Sequence, residues 1–108
     1  MEEETVVKSL AALAQSSRLR VFRALVVAGQ EGLTPGALSE ALDLPATSLS
    51  FHLKELTNAG LIVPERASRN LIYRAAFDRM NDVLHYLTQN CCQGEACAVD
   101  TTAASCEC

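Results

Sequence analysis

Pro45-Ala46-Thr47-Ser48-Leu49-Ser50-Phe51-His52-Leu53-Lys54-Glu55-Leu56 is the stretch on which the reading of this chain turns. Leu49, Leu53 and Leu56 recur at i, i+4 and i+7, which places three large apolar side chains on one face of a helix. At about 100° per residue, the opposite face carries Thr47, Phe51, Lys54 and Asn58, with Ser48, Ser50 and Glu55 beside them. A Phe among small hydroxyls and a Lys suits a flat, part-polar partner such as the edges of bases better than it suits water. Upstream, Thr34 to Leu42 reads as a short helix with Thr34 as N-cap and Pro35 pre-set for the first helical position. Asp43-Leu44-Pro45 is the joint between the two. A short helix, a three-residue joint and a hydroxyl-rich helix form the outline of a helix-turn-helix, whose second helix enters the major groove of DNA.

Working outward, residues 2–14 read as a first helix with Val6, Val7, Leu10, Leu13 and Ala14 as its apolar stripe and Glu2, Glu3 and Glu4 in its first turn. On so small a domain that helix has little core to cover, so packing against a second subunit is expected. Ser16 or Ser17 is the expected cap of a second helix running to Gly29, with Leu19, Phe22, Leu25 and Val26 inward. Asn58-Ala59-Gly60 stops the central helix. Leu61 to Arg66 and Asn70 to Ala75 then read as two strands around Ala67-Ser68-Arg69, with Asn70 the residue best suited to a positive φ. A last helix is expected from Asp78, as N-cap, to about Cys92, with Met80, Leu84, Leu87 and Cys91 on one face and Val83 alongside.

The bulk numbers narrow the classes. A chain of 108 residues, 49% hydrophobic, makes one small domain. It contains no apolar run of about 18 residues, so no membrane span is expected. Its acidic Met1-Glu2-Glu3-Glu4 start is unlike a signal peptide, which points to the cytoplasm. The net charge of −4 looks wrong for a nucleic-acid partner, but residues 16–79 hold eight Arg and Lys against six Asp and Glu. The acidic excess lies at the two ends, and placement matters more than the sum.

Order and spacing together resemble the ArsR/SmtB-type bacterial repressors. Thr47 to Leu56 is similar to their recognition helix, Ala59-Gly60-Leu61-Ile62-Val63 to its exit into the wing, and Ala11-Leu13-Ala14 with Arg18-Leu19-Arg20-Val21-Phe22 to their entry helices. The resemblance spans roughly residues 8 to 90 and implies a mainly α fold with a β-hairpin wing, a winged helix-turn-helix of α+β class. It also implies dimerisation through the first and last helices and an inverted-repeat operator in double-stranded DNA. On this reading residues 1–93 form the DNA-binding and dimerisation domain and 94–108 a cysteine-containing tail. The expected DNA contacts are Thr47, Ser48 and Ser50 to phosphates or base edges, Lys54 to a phosphate and Phe51 against thymine methyls. His52 is either a contact or a packed, hydrogen-bonded structural histidine, and Arg66 and Arg69 extend from the wing.

All five cysteines, Cys91, Cys92, Cys97, Cys106 and Cys108, fall in the last eighteen residues. An odd number gathered at one end suggests soft-ion or redox chemistry rather than structural disulfides. Soft thiolates select ions such as arsenite, antimonite, Cu(I), Cd(II) and Zn(II). Trivalent arsenic, with a lone pair in the fourth direction, prefers three thiolates in a pyramid. Cys91 and Cys92 are neighbours and Cys97 follows a glycine-containing run, so three sulfurs of one segment can converge, with Cys106 and Cys108 as auxiliaries. No C-x-x-C favours structural zinc. Arsenic-responsive members of the family that this chain resembles carry C-x-C-x-x-C where it has Leu33-Thr34-Pro35-Gly36-Ala37. Their relatives' zinc site on the last helix finds only Asp82 and His85 here. The cysteine pair instead resembles a relocated As(III) sensor near the C-terminus. The expectation is therefore an As(III)- or Sb(III)-released repressor and no enzyme. The alternatives are a thiol-redox-sensing repressor and a metalloid-buffering or reducing thiol protein.

Overall fold

A computed structural model describes residues 1–90. Five helices and a hairpin follow in the order α1 (Glu3–Leu13), α2 (Ser16–Ala28), α3 (Pro35–Leu42), α4 (Ala46–Asn58), β1 (Ile62–Ala67), β2 (Asn70–Ala75) and α5 (Phe77–Thr88). A single 3₁₀ turn at Gly29–Glu31 joins α2 to α3. The expected class, mainly α with an antiparallel hairpin, is the one observed.

The core forms where the amphipathic faces of α2, α3 and α4 meet the start of β1. Leu49, Leu53 and Leu56 are buried against Val21, Phe22 and Leu25 of α2, Leu38 of α3, and Ala59, Leu61 and Ile62 beyond the helix end. Burying a leucine contributes about 1.5–3 kcal/mol, so this three-leucine face outweighs any helix propensity along α4. Both helix-turn-helix segments start as expected from local chemistry. Thr34 Oγ1 accepts from the Ala37 amide at 3.1 Å, Pro35 opens α3, and Pro45 sits at the N-cap of α4 with φ −60°. Asp43 takes the left-handed conformation at the C-cap of α3 (φ 54°), which an Asp tolerates better than most residues. The turn is pinned there by Ser39, whose hydroxyl donates to Leu44 O, and by Arg20 of α2, which reaches Leu42 O at 3.0 Å.

The hairpin pairs Ile62 with Ala75 through Ala67 with Asn70. Leu33 adds a one-residue bridge to Tyr73, exchanging both backbone hydrogen bonds at 2.9 and 3.0 Å. Pro64 lies opposite Tyr73 on β1, the outer strand, where its missing amide leaves no ladder bond broken on the solvent side.

Several expectations are corrected. The cap of α2 is Gln15, whose side chain accepts from the Arg18 amide at 2.8 Å, so Ser16 is already helical. Leu19 is exposed, and Val21 takes the inward place assigned to it; the register of the helix puts residues 21, 22 and 25 on the core side. The positive φ of the hairpin belongs to Ser68 (61°), not Asn70, because the two-residue turn needs it at its first central position. Ala76, not Asp78, is the N-cap of α5, and that helix stops at Thr88, short of the expected Cys92. Cys91 and Cys92 lie outside the described residues.

Two glycines around the 3₁₀ turn separate two kinds of constraint. Gly29 (φ 65°) and Gly32 (φ 66°) both occupy backbone space that other residues rarely enter. A Cβ on Gly29 would meet nothing within 4 Å, whereas one on Gly32 would lie 2.5 Å from Tyr73 O. Gly29→Ala is expected to cost about 1–3 kcal/mol, the usual strain of that region. Gly32→Ala should cost measurably more, since it also parts Leu33 from Tyr73. Equal denaturation midpoints for the two variants would contradict this packing.

Candidate nucleic-acid interface

With its leucine face turned inward, α4 presents the rest of its surface to solvent. Thr47, Ser48, Ser50, Phe51 and Lys54 are all exposed, Phe51 at 55%. Five of the six residues expected on this helix to contact DNA therefore share one open face. On the hairpin, Arg66 and Arg69 are also exposed, Arg66 in the strand opposite Leu71 and Arg69 in the turn beside Ser68.

His52 is the exception. It is half-buried, its Nδ1 is shielded from solvent without a hydrogen-bond partner, and its ring meets Phe51 edge-on with centroids 5.8 Å apart. Burial, and then the Arg18 guanidinium, lower its pKa from the ordinary 6.5. His52 is packed, but among the described residues its Nδ1 lacks the hydrogen bond expected of a structural histidine. The lowered pKa favours the neutral imidazole, whose ring stands edge-on to Phe51.

The wing is held to the body by residues that carry no signal in the linear sequence. Arg74 Nε donates to Gln30 O at 2.6 Å, and its Nη1 pairs with Glu65 at 2.7 Å across the hairpin. Arg74 Cγ also lies 2.9 Å from where a Cβ on Gly32 would fall, so its stem covers that glycine. Arg79 of α5 donates to Ala59 O at 3.0 Å and lies over Gly60, the exit from α4 (φ 78°). A basic residue bonded to the last carbonyls of a helix also opposes its negative end. These arginines are separated in sequence from their partners by 9 to 44 residues. Nothing in the local pattern marks them out from Arg66 or Arg69, which remain free to face a phosphate backbone.

Cys91, Cys92, Cys97, Cys106 and Cys108 all lie outside the described residues. Among the described residues no cluster of three or more His, Cys, Asp or Glu could hold a metal. Asp82 and His85 are exposed on α5. No helix among the described residues is long and apolar enough to cross a membrane.

Comparison with known proteins points to the same fold. A family model described as a helix-turn-helix domain matches residues 13–65, from the end of α1 to β1. The uncharacterised HTH-type transcriptional regulator YceK of Bacillus subtilis is 40% identical over 58 residues. That match takes in 54% of this chain and 57% of the relative's length, so the chain spans little more than half of that relative. Among solved structures, an ArsR-like transcriptional regulator from Rhodococcus sp. RHA1 superposes with a TM-score of 0.72 at 22% identity, covering 80% of this chain and 78% of that one. A possible transcriptional regulator for arsenical resistance superposes with a TM-score of 0.63 at 22% identity, covering 92% and 96%. At these identities the two structures speak for the fold. The Bacillus relative and the Rhodococcus structure are both described as transcriptional regulators.

The depressed pKa of His52 has a signed consequence. Well above pH 6.5 the histidine is neutral in both folded and unfolded chains and contributes no pH dependence. As pH falls below 6.5 the unfolded chain takes up the proton first, so stability is lost until the folded-state pKa is passed. Thermal unfolding at pH 7.5 and 5.5 should show a smaller loss for His52→Gln than for the unaltered chain. An equal loss would mean that the histidine is not held in its neutral form.

Proposed function

We propose that this chain, which has the fold of ArsR-type winged helix-turn-helix transcriptional regulators, is a homodimeric repressor of arsenic-resistance genes. It binds operator DNA in the apo form and releases it when As(III) or Sb(III) occupies thiolates of its C-terminal cysteines. The observation that carries the DNA-binding part is the open face of α4. A helix anchored by three buried leucines displays hydroxyls, one Phe and one Lys, and the wing adds two exposed arginines. Thr47, Ser48, Ser50 and Phe51 lie in the first half of the helix, the part that reaches base edges in this motif. Lys54, Arg66 and Arg69 supply phosphate contacts. His52 serves behind them, by holding Phe51.

The dimer is supported by what α1 and α5 leave uncovered. Val6 and Val83 are buried, but Val7, Leu10, Leu84 and Leu87 are exposed at 57%, 39%, 40% and 57%. An apolar surface of this kind on a small domain marks an interface. A two-fold dimer through it carries two copies of α4 and matches an inverted repeat, with half-site centres about one helical turn, 34–36 Å, apart.

Sensing rests on chemistry and chain order. Cys91 and Cys92 follow the end of α5 within four residues, and with Cys97 they offer the three thiolates that As(III) prefers. Arg79 gives α5 a grip on Ala59 O at the exit of α4. A displacement of α5 by an ion held just past its end would therefore reach the reading helix directly. Metalloid binding must then favour the state off DNA, and by linkage DNA weakens metalloid binding by the same factor.

Titrating the dimer–operator complex with arsenite is expected to release DNA stoichiometrically. Cys91→Ser and Cys92→Ser should keep DNA affinity and lose release, and Cys97→Ser should do the same unless Cys106 substitutes for it. Deleting residues 104–108 should leave the response nearly unchanged. A truncated protein that ignores arsenite would move the site to Cys106 and Cys108. Release by a thiol oxidant but not by arsenite would make the protein a redox sensor.

Sedimentation provides a separate check on the assembly. The unaltered chain should sediment as a dimer at micromolar concentration, and Leu84→Glu with Leu87→Glu should yield folded monomers that bind operator poorly. Dimers that survive both substitutions would place the interface elsewhere.

A further inference from the structure

The composition of the open face of α4 limits what it can read. Guanine is read by bidentate Arg or Lys, adenine by Asn or Gln, and cytosine by an acid. The exposed residues of α4 include no Arg, Gln or Asp. Lys54 lies in its second half, and Asn58 is its last residue. The first half, the part that meets base edges, offers Thr47, Ser48, Ser50 and Phe51. Serine hydroxyls accept and donate to any base and discriminate little.

What remains is apolar. Thr47 and Phe51 are one turn apart on one face, so the threonine methyl and the phenyl ring form a short stripe about 6 Å long at 1.5 Å rise per residue. Along one DNA strand that length covers about two steps of 3.4 Å. The ring is not loose, since it stands edge-on to half-buried His52 at 62°. Its outer side is open to solvent although the core of the domain is complete without it. In the major groove the apolar feature that distinguishes one base pair from the others is the 5-methyl group of thymine.

We infer that this protein reads its operator mainly through thymine methyl groups, with two neighbouring thymines per half-site, one under Thr47 and one under Phe51. This rests on the DNA-binding reading above and specifies its ligand. Sequence preference then follows the pattern of methyls rather than a hydrogen-bond code, and G·C pairs under this stripe are disfavoured for lack of a methyl.

The experiment selects duplexes from a random library with the full-length chain, then replaces each thymine of the selected site singly by 2′-deoxyuridine. Deoxyuridine keeps the pairing edge and removes only the methyl. Anisotropy titrations at one fixed salt concentration should show affinity falling about four-fold at two neighbouring positions per half-site, the value for one buried methyl-sized group, and little elsewhere. Phe51→Ala should erase the effect at one of the positions and Thr47→Ser at the other, each in a variant that still unfolds cooperatively. Selection of a defined site at which deoxyuridine changes nothing would overturn the inference and leave DNA binding standing. A deoxyuridine effect that persists in both variants would also overturn it. If no duplex is enriched at all, the DNA-binding reading itself fails.

Discussion

The contact of Leu49, Leu53 and Leu56 with the α2–α3 side of the core is the interaction on which everything else depends. It decides which face of α4 is hidden, and therefore which is shown. One step of rotation about the helix axis would bury Ser50 or expose Leu53, and burying an unpaired hydroxyl costs a few kcal/mol. The helix thus has one stable seating, and that seating puts Thr47, Ser48, Ser50, Phe51 and Lys54 outside together. The arginine contacts come second to this. Arg20 holds the turn that enters α4, Arg79 holds its exit, and Arg74 fixes the wing at its base.

The electrostatics follow from the same division of labour. Of the eight Arg and Lys between residues 16 and 79, Arg18, Arg20, Arg74 and Arg79 donate to backbone carbonyls or to a carboxylate. Lys54, Arg66 and Arg69 stand exposed around the open face of α4 and the hairpin turn. An acidic chain can therefore present a positive surface to a polyanion, because its surplus carboxylates lie near its two ends. Attraction to phosphate is independent of base sequence. On the proposed reading, selectivity comes mainly from the uncharged side chains between those cations.

Periodicity and capping made most of the fold legible. The leucine spacing of α4, Thr34 with Pro35 at the start of α3, and the branched residues of the hairpin each have a short-range cause, so sequence alone revealed them. Errors arose where two short-range solutions compete. Gln15 and the serines after it can all cap α2, and Asp78 is a plausible cap for a helix that begins one residue earlier, at Phe77. Ser68 takes the positive φ because the Ala67–Asn70 pairing sets the turn length, a fact of register rather than of residue preference. Leu19 and Val21 are both apolar positions of α2, and only packing sets the one outward and the other inward. The open face of α4 was legible, whereas the roles of Arg74 and Arg79 were not, since their acceptors are brought to them only by the tertiary fold.

Amide hydrogen exchange of the full-length protein, with and without a selected operator duplex, tests the central claim most directly. That claim is that one face of α4, together with the hairpin, meets DNA. The account predicts that duplex slows exchange in α4 from its first turn to about Lys54 and in the Arg66–Arg69 segment. It predicts no change beyond the dimer's own protection in α1 and α5. Protection confined to α1 and α5, with α4 and the hairpin unaffected, would contradict the account, because the exposed hydroxyls and Phe51 would then have no part in binding.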